Sequence, residues 1–324
     1  MKAIVYEKYG GPEVLQLKEI EKPVPKDDEV LIKVRATSIN SRDWRLMHAY
    51  PFFIRFMVGG LLTPKIGILG RDVAGWVEKT GANVRQFKSG DEVFGCLFRY
   101  EGKAFAEYAC TAENEIMLKP SNITFEQAAA VPVAAMTALQ GLRDKGNIQP
   151  GEKVLINGAS GGVGTFAVQI AKIFGAEVTA VCSPRNLDMV RTIGADHVID
   201  YTREDFSRNG QQYDLILAVN GYHPISDYLR VLKPDGTYIV AGGSMRQLSQ
   251  AMLRKRISNG SRQRIDTVSQ VRSKGDLAFL RELLITGKLA PVIDGCYPLE
   301  KTAEAFQYFE NVHPRGKVVI TVAE

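Results

Sequence analysis

A chain of 324 residues, 45% of them hydrophobic, is longer than one core ordinarily serves and apolar enough to fill two, which excludes a disordered polypeptide and predicts two domains. With 41 basic against 36 acidic residues the net charge is +5, a mild bias toward anionic ligands that does not by itself indicate nucleic acid. The chain runs from Met1-Lys2 straight into an alternating stretch without a secretory signal, and its longest apolar tract, Pro51 to Pro64, is broken by Arg55 and Gly59-Gly60. That tract falls short of the roughly 20 apolar residues of a membrane span, so a soluble, cytoplasmic protein with no membrane span is expected.

In chain order, the first ~120 residues read as short β-rich runs: Lys2 to Tyr6, Glu29 to Ala36, Ala74 to Thr80 and Glu92 to Gly95, separated by Gly, Pro and Asp. They predict an antiparallel, barrel-like domain. From Lys153 the pattern becomes strand, glycine loop, helix, repeated. Strands are predicted at Val154 to Asn157, Val178 to Cys182, His197 to Asp200, Tyr213 to Val219 and Thr237 to Ala241, with helices at Gly164 to Phe174 and Asn186 to Ile193. This alternation predicts a doubly wound parallel sheet, an α/β architecture. An amphipathic helix at Asp276 to Thr286 and a strand at Val318 to Val322 close the chain.

Metal chemistry finds little support. Cys96, Cys110, Cys182 and Cys296 form no CxxC pair and read as reduced structural thiols, while His48, His197, His223 and His313 are isolated. The sharpest motif is Val154-Leu-Ile-Asn-Gly-Ala-Ser-Gly-Gly-Val-Gly164, a hydrophobic strand turning through glycines into a helix. Gly161 admits the backbone to a pyrophosphate, Gly164 lets helix and strand pack closely, and the helix start offers free N–H groups to an anion. Ala159 stands at the first glycine of the fingerprint and keeps the small-residue requirement; Ser160, Gly162 and Val163 complete the loop. NAD-binding proteins carry a carboxylate at the end of the next strand, about 20 residues on, for the ribose 2′-hydroxyl. Ser183 stands there, followed by Arg185, a pairing that favours a 2′-phosphate and hence NADP(H). The same Ser183-Pro184-Arg185-Asn186 segment also suits a plain helix start.

These residues, together with Met1-Lys-Ala-Ile-Val-Tyr-Glu7, Ser38-Ile-Asn-Ser-Arg-Asp43, Leu69-Gly-Arg-Asp-Val-Ala-Gly75, Gly90-Asp-Glu-Val-Phe-Gly95, Val131-Pro-Val-Ala-Ala-Met-Thr137, Gly194-Ala-Asp-His-Val-Ile-Asp-Tyr201 and Arg315-Gly-Lys317, carry a resemblance along essentially the whole chain. The protein resembles the zinc-free quinone oxidoreductase branch of the medium-chain dehydrogenase/reductase superfamily. The resemblance implies a GroES-like substrate domain, 1–123 with 272–324, interrupted by a Rossmann NADPH-binding domain, 124–271. It implies a nicotinamide beside Asn40, Thr137 and Gly242-Gly243, with Tyr201 at the 2′-phosphate and Arg315 among the cofactor-binding residues. The zinc-dependent branch places Cys, His, Glu and Cys ligands where this chain has Asn40, Arg71, Asp72 and a cysteine-free Pro132 to Thr137. Losing the thiolate and imidazole leaves no tetrahedral zinc site.

Asn40 reads either as a hydrogen-bond partner of the acceptor oxygen or as a turn residue satisfying local backbone. Arg71 either stabilises a developing oxyanion or, the favoured reading, forms a structural ion pair with Asp72. Tyr50, before Pro51, resembles the tyrosine proton donor of related enoyl reductases, one residue out of register. Phe52, Phe53, Phe56 and Met57 read as core rather than as an acceptor mouth. The stretch Arg254 to Lys274, with Arg254, Lys255, Arg256, Arg262, Arg264, Arg272 and Lys274, lacks interleaved aromatics and reads as a solvated basic loop. Together these readings predict NADPH-dependent reduction of a quinone or activated carbonyl. The alternatives are C=C reduction of an enone, 2-alkenal or enoyl thioester, and a nucleotide-binding structural or redox-sensing protein with little turnover. The expected partners are a small-molecule quinone or enone and a second copy of the chain in a homodimer, with no nucleic acid.

Overall fold

In the computed structural model, which describes residues 1–57, 60–65, 67–99, 102–221, 223–243, 245–257 and 262–323, the chain parts into two units. One comprises Met1–Val133, Arg272–Gly287 and Pro291–Glu324; the other comprises Ala134–Val271 and Lys288–Ala290. The first begins with β1 (Lys2–Val5) and β2 (Gln16–Glu19), an antiparallel pair. Then come β3 (Glu29–Ser38), β4 (Asp72–Thr80), β5 (Glu92–Cys96), β6 (Tyr108–Ala112) and β7 (Ile116–Leu118). Along β3 the alternate residues Val30, Ile32, Val34 and Ala36 are buried, as a strand with one face on a core requires. This strand runs two residues past the predicted end. Thr37 and Ser38 look like a polar stop in the sequence, yet each donates to Asp72 at the start of β4, at 2.6 and 2.5 Å, and both are buried.

The second unit holds β8 (Lys153–Asn157), β9 (Glu177–Cys182), β10 (His197–Asp200), β11 (Tyr213–Ala218), β12 (Leu232–Val240) and β13 (Arg264–Thr267) in one parallel sheet of order β10-β9-β8-β11-β12-β13. Helix Gly162–Ile173 returns from β8 to β9, and Phe166, Val168 and Ile170 on it are fully buried. Strands with near-continuous apolar runs, such as Val154-Leu-Ile156, are what a sheet covered on both faces needs. The chain moves outward from β8 to β10 and starts again on the other side at β11, so the order reverses between β8 and β11.

Among the described residues, parts of the basic stretch lie in a helix and a strand rather than in a loop. Helix Met245–Ile257 enters it, β13 pairs with β12, Arg262 meets Asp235 at 2.8 Å, Arg272 meets the buried Glu115 at 3.3 Å, and Lys274 donates to Gln86. The side chains of Arg254, Lys255 and Arg256 lie outside the described residues. Ion pairing and edge-strand pairing left no apolar run for the sequence to announce.

The chain then returns to the first unit with helix Lys274–Ile285, β14 (Ile293–Pro298), helix Thr302–Val312 and β15 (Lys317–Thr321), completing a sheet of order β14-β15-β3-β4-β5-β7 with β6 on β3. Helix Lys274–Ile285 starts two residues before its predicted position, with the Ser273 hydroxyl accepting from Asp276 N–H. The aromatics expected in the core are not there: Phe52, Phe53 and Phe56 are exposed, Phe52 and Phe56 packing edge to face at 5.9 Å, and the side chain of Met57 is outside the described residues. The four-residue helical turn Ile54–Met57 places Ile54 against the core. No described helix is long and apolar enough to cross a membrane.

Candidate functional site

In a parallel sheet every strand presents its carboxyl end at the same edge, and ligands settle where the strand order reverses. The cofactor candidates of the second unit collect on that edge. Gly158 to Gly164 follow β8, Ser183 to Arg185 follow β9, Tyr201 follows β10, and Gly242-Gly243 follow β12. Thr137, nearly buried, sits on helix Pro132–Leu139. Three glycines of the loop do different work. Gly158 makes the turn, with φ at +83°, and a Cβ there would lie 2.7 Å from the Asn220 backbone nitrogen. At Gly164 a Cβ would lie 2.1 Å from the Gly158 carbonyl oxygen, so helix and loop touch through their backbones. Gly161 is in ordinary extended backbone, φ −83° and ψ 176°, and a Cβ there would meet nothing nearer than the Gly158 oxygen at 3.7 Å. That open space above a helix start fits the pyrophosphate of a dinucleotide.

At the end of β9 the donor chemistry is built by an amide. Asn186, 2% exposed, gives its two Nδ2 hydrogens to the hydroxyls of Ser160 at 2.9 Å and Ser183 at 3.0 Å, tying the loop after β8 to the loop after β9. Arg185, next to Asn186 in the chain, and Tyr201, after β10, are exposed. Asn186 reads in the sequence only as a helix start, and Gly158 only as part of the motif, so both were missed as site residues.

The first unit holds Asn40, Tyr50, Arg71 and Arg315. Asn40 belongs to a buried cluster: its Nδ2 donates to Asp72 Oδ2 at 2.8 Å and to the Ser38 carbonyl at 3.2 Å, and its Oδ1 accepts from Lys317 Nζ at 2.6 Å. Lys317 also donates to the Ile39 carbonyl at 3.1 Å and stands 3.4 Å from Asp72 Oδ2, while Asp72 Oδ1 accepts from Val133 N–H at 2.8 Å. The side chains of Lys317 and Asp72 are 3% and 0% exposed. Both amide hydrogens of Asn40 are therefore committed inside the protein. Next to it, Asp43 accepts from the Asn40 and Gly70 N–H groups, and burial raises its carboxyl above the usual carboxylate range against the pull of Arg42.

The expected Arg71–Asp72 pair gives way to another arrangement. Adjacent residues of an extended chain point to opposite faces. Asp72 turns inward to Lys317, and the Arg71 guanidinium lies 4.8 Å from the Phe98 ring centre. Lys317, quoted in the sequence only as a landmark, is the residue that sequence reasoning missed here. This cluster does not fit a zinc ion: among the described residues around Asp72 the donors are a carboxylate, an amide and a hydroxyl, and an ammonium already stands against them. Among the described residues no group of three or more His, Cys, Asp or Glu could hold a metal ion, and burial pushes the Cys96 thiol well up and those of Cys110 and Cys182 to about 11. Tyr50 is 52% exposed, its ring edge-on to Trp44 at 5.9 Å; Arg315 is exposed.

Residues 26–121 match the alcohol dehydrogenase GroES-like domain family and residues 193–320 match the zinc-binding dehydrogenase family. A chloroplastic quinone oxidoreductase, QR1, of Triphysaria versicolor is 34% identical, over 99% of this chain and 98% of that protein. A chloroplastic NADPH-dependent alkenal/one oxidoreductase of Arabidopsis thaliana is 35% identical, over 99% of this chain and 79% of its own length. The quinone oxidoreductase of Coxiella burnetii superposes with a TM-score of 0.90 at 29% identity, covering 100% of this chain and 99% of that one. A GroES-like unit, a parallel-sheet unit with a dinucleotide edge and full-length relatives together make this chain a member of the medium-chain dehydrogenase/reductase superfamily, in its quinone oxidoreductase branch.

Proposed function

We propose that the protein transfers a hydride from NADPH to a quinone or similarly activated carbonyl compound, without zinc. The observation that carries the NADPH reading is the end of β9, where a serine hydroxyl and an exposed arginine stand in place of a carboxylate. Ala159 to Gly164 hold the pyrophosphate, Ser183, Arg185 and Tyr201 the 2′-phosphate, and Thr137 with Gly242-Gly243 the nicotinamide side; Arg315 is a further cofactor-binding candidate. The bound dinucleotide supplies the hydride. On the acceptor side, Asn40 has no amide hydrogen to spare, which leaves Arg71 as the group to stabilise developing negative charge on oxygen. Reduction of a quinone yields a stabilised phenolate that water protonates, so no dedicated acid is required. The protein acts as a homodimer, and its substrate is a small molecule, not nucleic acid.

Cofactor choice then rests on two residues. A charge-assisted phosphate contact contributes roughly 1.5–3 kcal/mol, so Arg185→Ala is expected to lower kcat/KM for NADPH by about ten- to a hundredfold and to leave NADH nearly unchanged. Ser183→Asp shifts preference toward NADH. Wild-type preference for NADH, or equal losses for both cofactors in Arg185→Ala, would falsify the NADPH assignment. The zinc-free reading predicts that exhaustive chelation leaves turnover unchanged; stoichiometric zinc in the purified protein together with chelator inhibition overturns it.

A second reading, reduction of an enone C=C bond, is favoured by the half-exposed Tyr50 and by the alkenal/one relative. It needs a proton for the enolate. Turnover of enones but not of quinones lost in Tyr50→Phe supports it; unchanged enone turnover removes Tyr50 from the mechanism.

A further inference from the structure

Asn186 is buried between two half-exposed serines at the coenzyme edge, and its position has a chemical consequence for both. An amide nitrogen is a donor only, with two hydrogens, and here each goes to one hydroxyl oxygen, Ser160 at 2.9 Å and Ser183 at 3.0 Å. A serine oxygen that accepts from Asn186 keeps its own hydrogen free to donate elsewhere. The amide's Oδ1 is buried with no hydrogen-bond partner among the described residues. The opposite amide orientation would put Oδ1 against the two hydroxyls and strand two N–H groups instead of one oxygen, which is the costlier arrangement. The backbone fixes the geometry further, since Asn186 N–H donates to the Ser183 carbonyl at 3.0 Å and closes the turn that carries Arg185.

We propose that Asn186 is the specificity-determining positioning residue of the coenzyme site: by donating to Ser160 and Ser183 together, it turns both hydroxyls into outward donors, one on the pyrophosphate loop and one at the ribose end, and so commits the edge to a dinucleotide bearing a 2′-phosphate. This rests on the NADPH reading and names the device behind it. Arg185 supplies charge, which any anion answers; Asn186 supplies the polarity of the hydroxyls. A phosphate only accepts hydrogen bonds and matches two donors, whereas a ribose 2′-hydroxyl gains little from their being fixed. The amide acts through the serines and needs no contact with the coenzyme.

The test is calorimetric titration of NADP+ and of NAD+ into the wild-type protein and into Asn186→Asp, Asn186→Leu, Ser160→Ala and Ser183→Ala, with thermal unfolding of each. Asn186→Asp keeps the shape and reverses the polarity, since a carboxylate draws both hydroxyl hydrogens inward. The NADP+ over NAD+ affinity ratio is expected to fall about tenfold or more in Asn186→Asp and about threefold in Asn186→Leu. Ser183→Ala lowers the ratio on its own and adds nothing in the Asn186→Leu background, while Ser160→Ala weakens both dinucleotides alike. Equal weakening of both dinucleotides in Asn186→Asp, as a merely structural residue would give, overturns the proposal. Should the Asn186 variants not fold, an unchanged ratio in Ser183→Ala overturns it instead. A wild-type protein that binds NAD+ as tightly as NADP+ defeats the NADPH reading itself, a result read on a different protein from the one that tests Asn186.

Discussion

Gly161→Val is expected to fold like the parent protein and to lose its dinucleotide. The backbone at Gly161 is extended, a conformation valine adopts readily, and the space its Cβ would take holds no protein atom nearer than 3.7 Å. The unfolding temperature should therefore stay within about 2 °C of the parent, since nothing in the interior has to move. That same space is where we propose the pyrophosphate meets the loop, and a branched side chain there is expected to raise the dinucleotide Kd by about a hundredfold or more, some 3 kcal/mol. Gly164→Val is the opposing control. With a Cβ 2.1 Å from the Gly158 oxygen and 2.8 Å from the Ala159 backbone, it must push the helix off the loop and is expected to destabilise the fold before it can affect binding. Calorimetric titration and thermal unfolding on both variants separate the two roles; wild-type affinity in a folded Gly161→Val would remove the loop from the coenzyme site.

Lys317→Met carries the second large effect. Asp72 is fully buried and Lys317 nearly so, and removing the ammonium leaves an anion in the interior with no cation against it. Breaking one side of such a pair costs about 3–5 kcal/mol, or roughly 6–20 °C of unfolding temperature in a unit of this size. Asp72→Asn in the Lys317→Met background removes the stranded charge while keeping an acceptor for Ser38, so the double variant should recover more than half of the loss. A single variant as stable as the parent, or a double variant that is the sum of its parts, would show that the pair is not coupled.

The same two places show what a sequence discloses and what it withholds. Five of the six strands that surround the coenzyme edge were legible because parallel strands buried on both faces are nearly unbroken apolar runs, and the glycines at 158, 161 and 164 punctuate the first of them; β13, inside the basic stretch, was not. In β12 only the Thr237–Val240 end was legible, because Pro234, Asp235 and Gly236 hide its beginning. β14 went unread for a like reason: Gly295 and Pro298 interrupt a half-exposed strand that makes its pairing on β15. Long-range polar partners leave no local signal at all. Nothing near Asp72 announces that its cation is Lys317, and the neighbouring Arg71 suggests the wrong one. Asn186 likewise looks like a helix start until Ser160, from the loop before, is seen against it.

The pairing of β15 with β3 bears on how the chain is made. β3 ends at Ser38, and the strand that pairs with its Ala36–Ser38 end begins only at Lys317, so that end stays open until Thr321 has been made. The six strands of the second unit are complete by Thr267. Synthesis therefore delivers a finished coenzyme fold in the middle of a nascent chain while Asp72, made long before, still waits for its counter-charge. Pulse-labelled chains arrested at about residue 300 should protect the amides of β8 and β11 from exchange while those of β3 on its β15 side remain open.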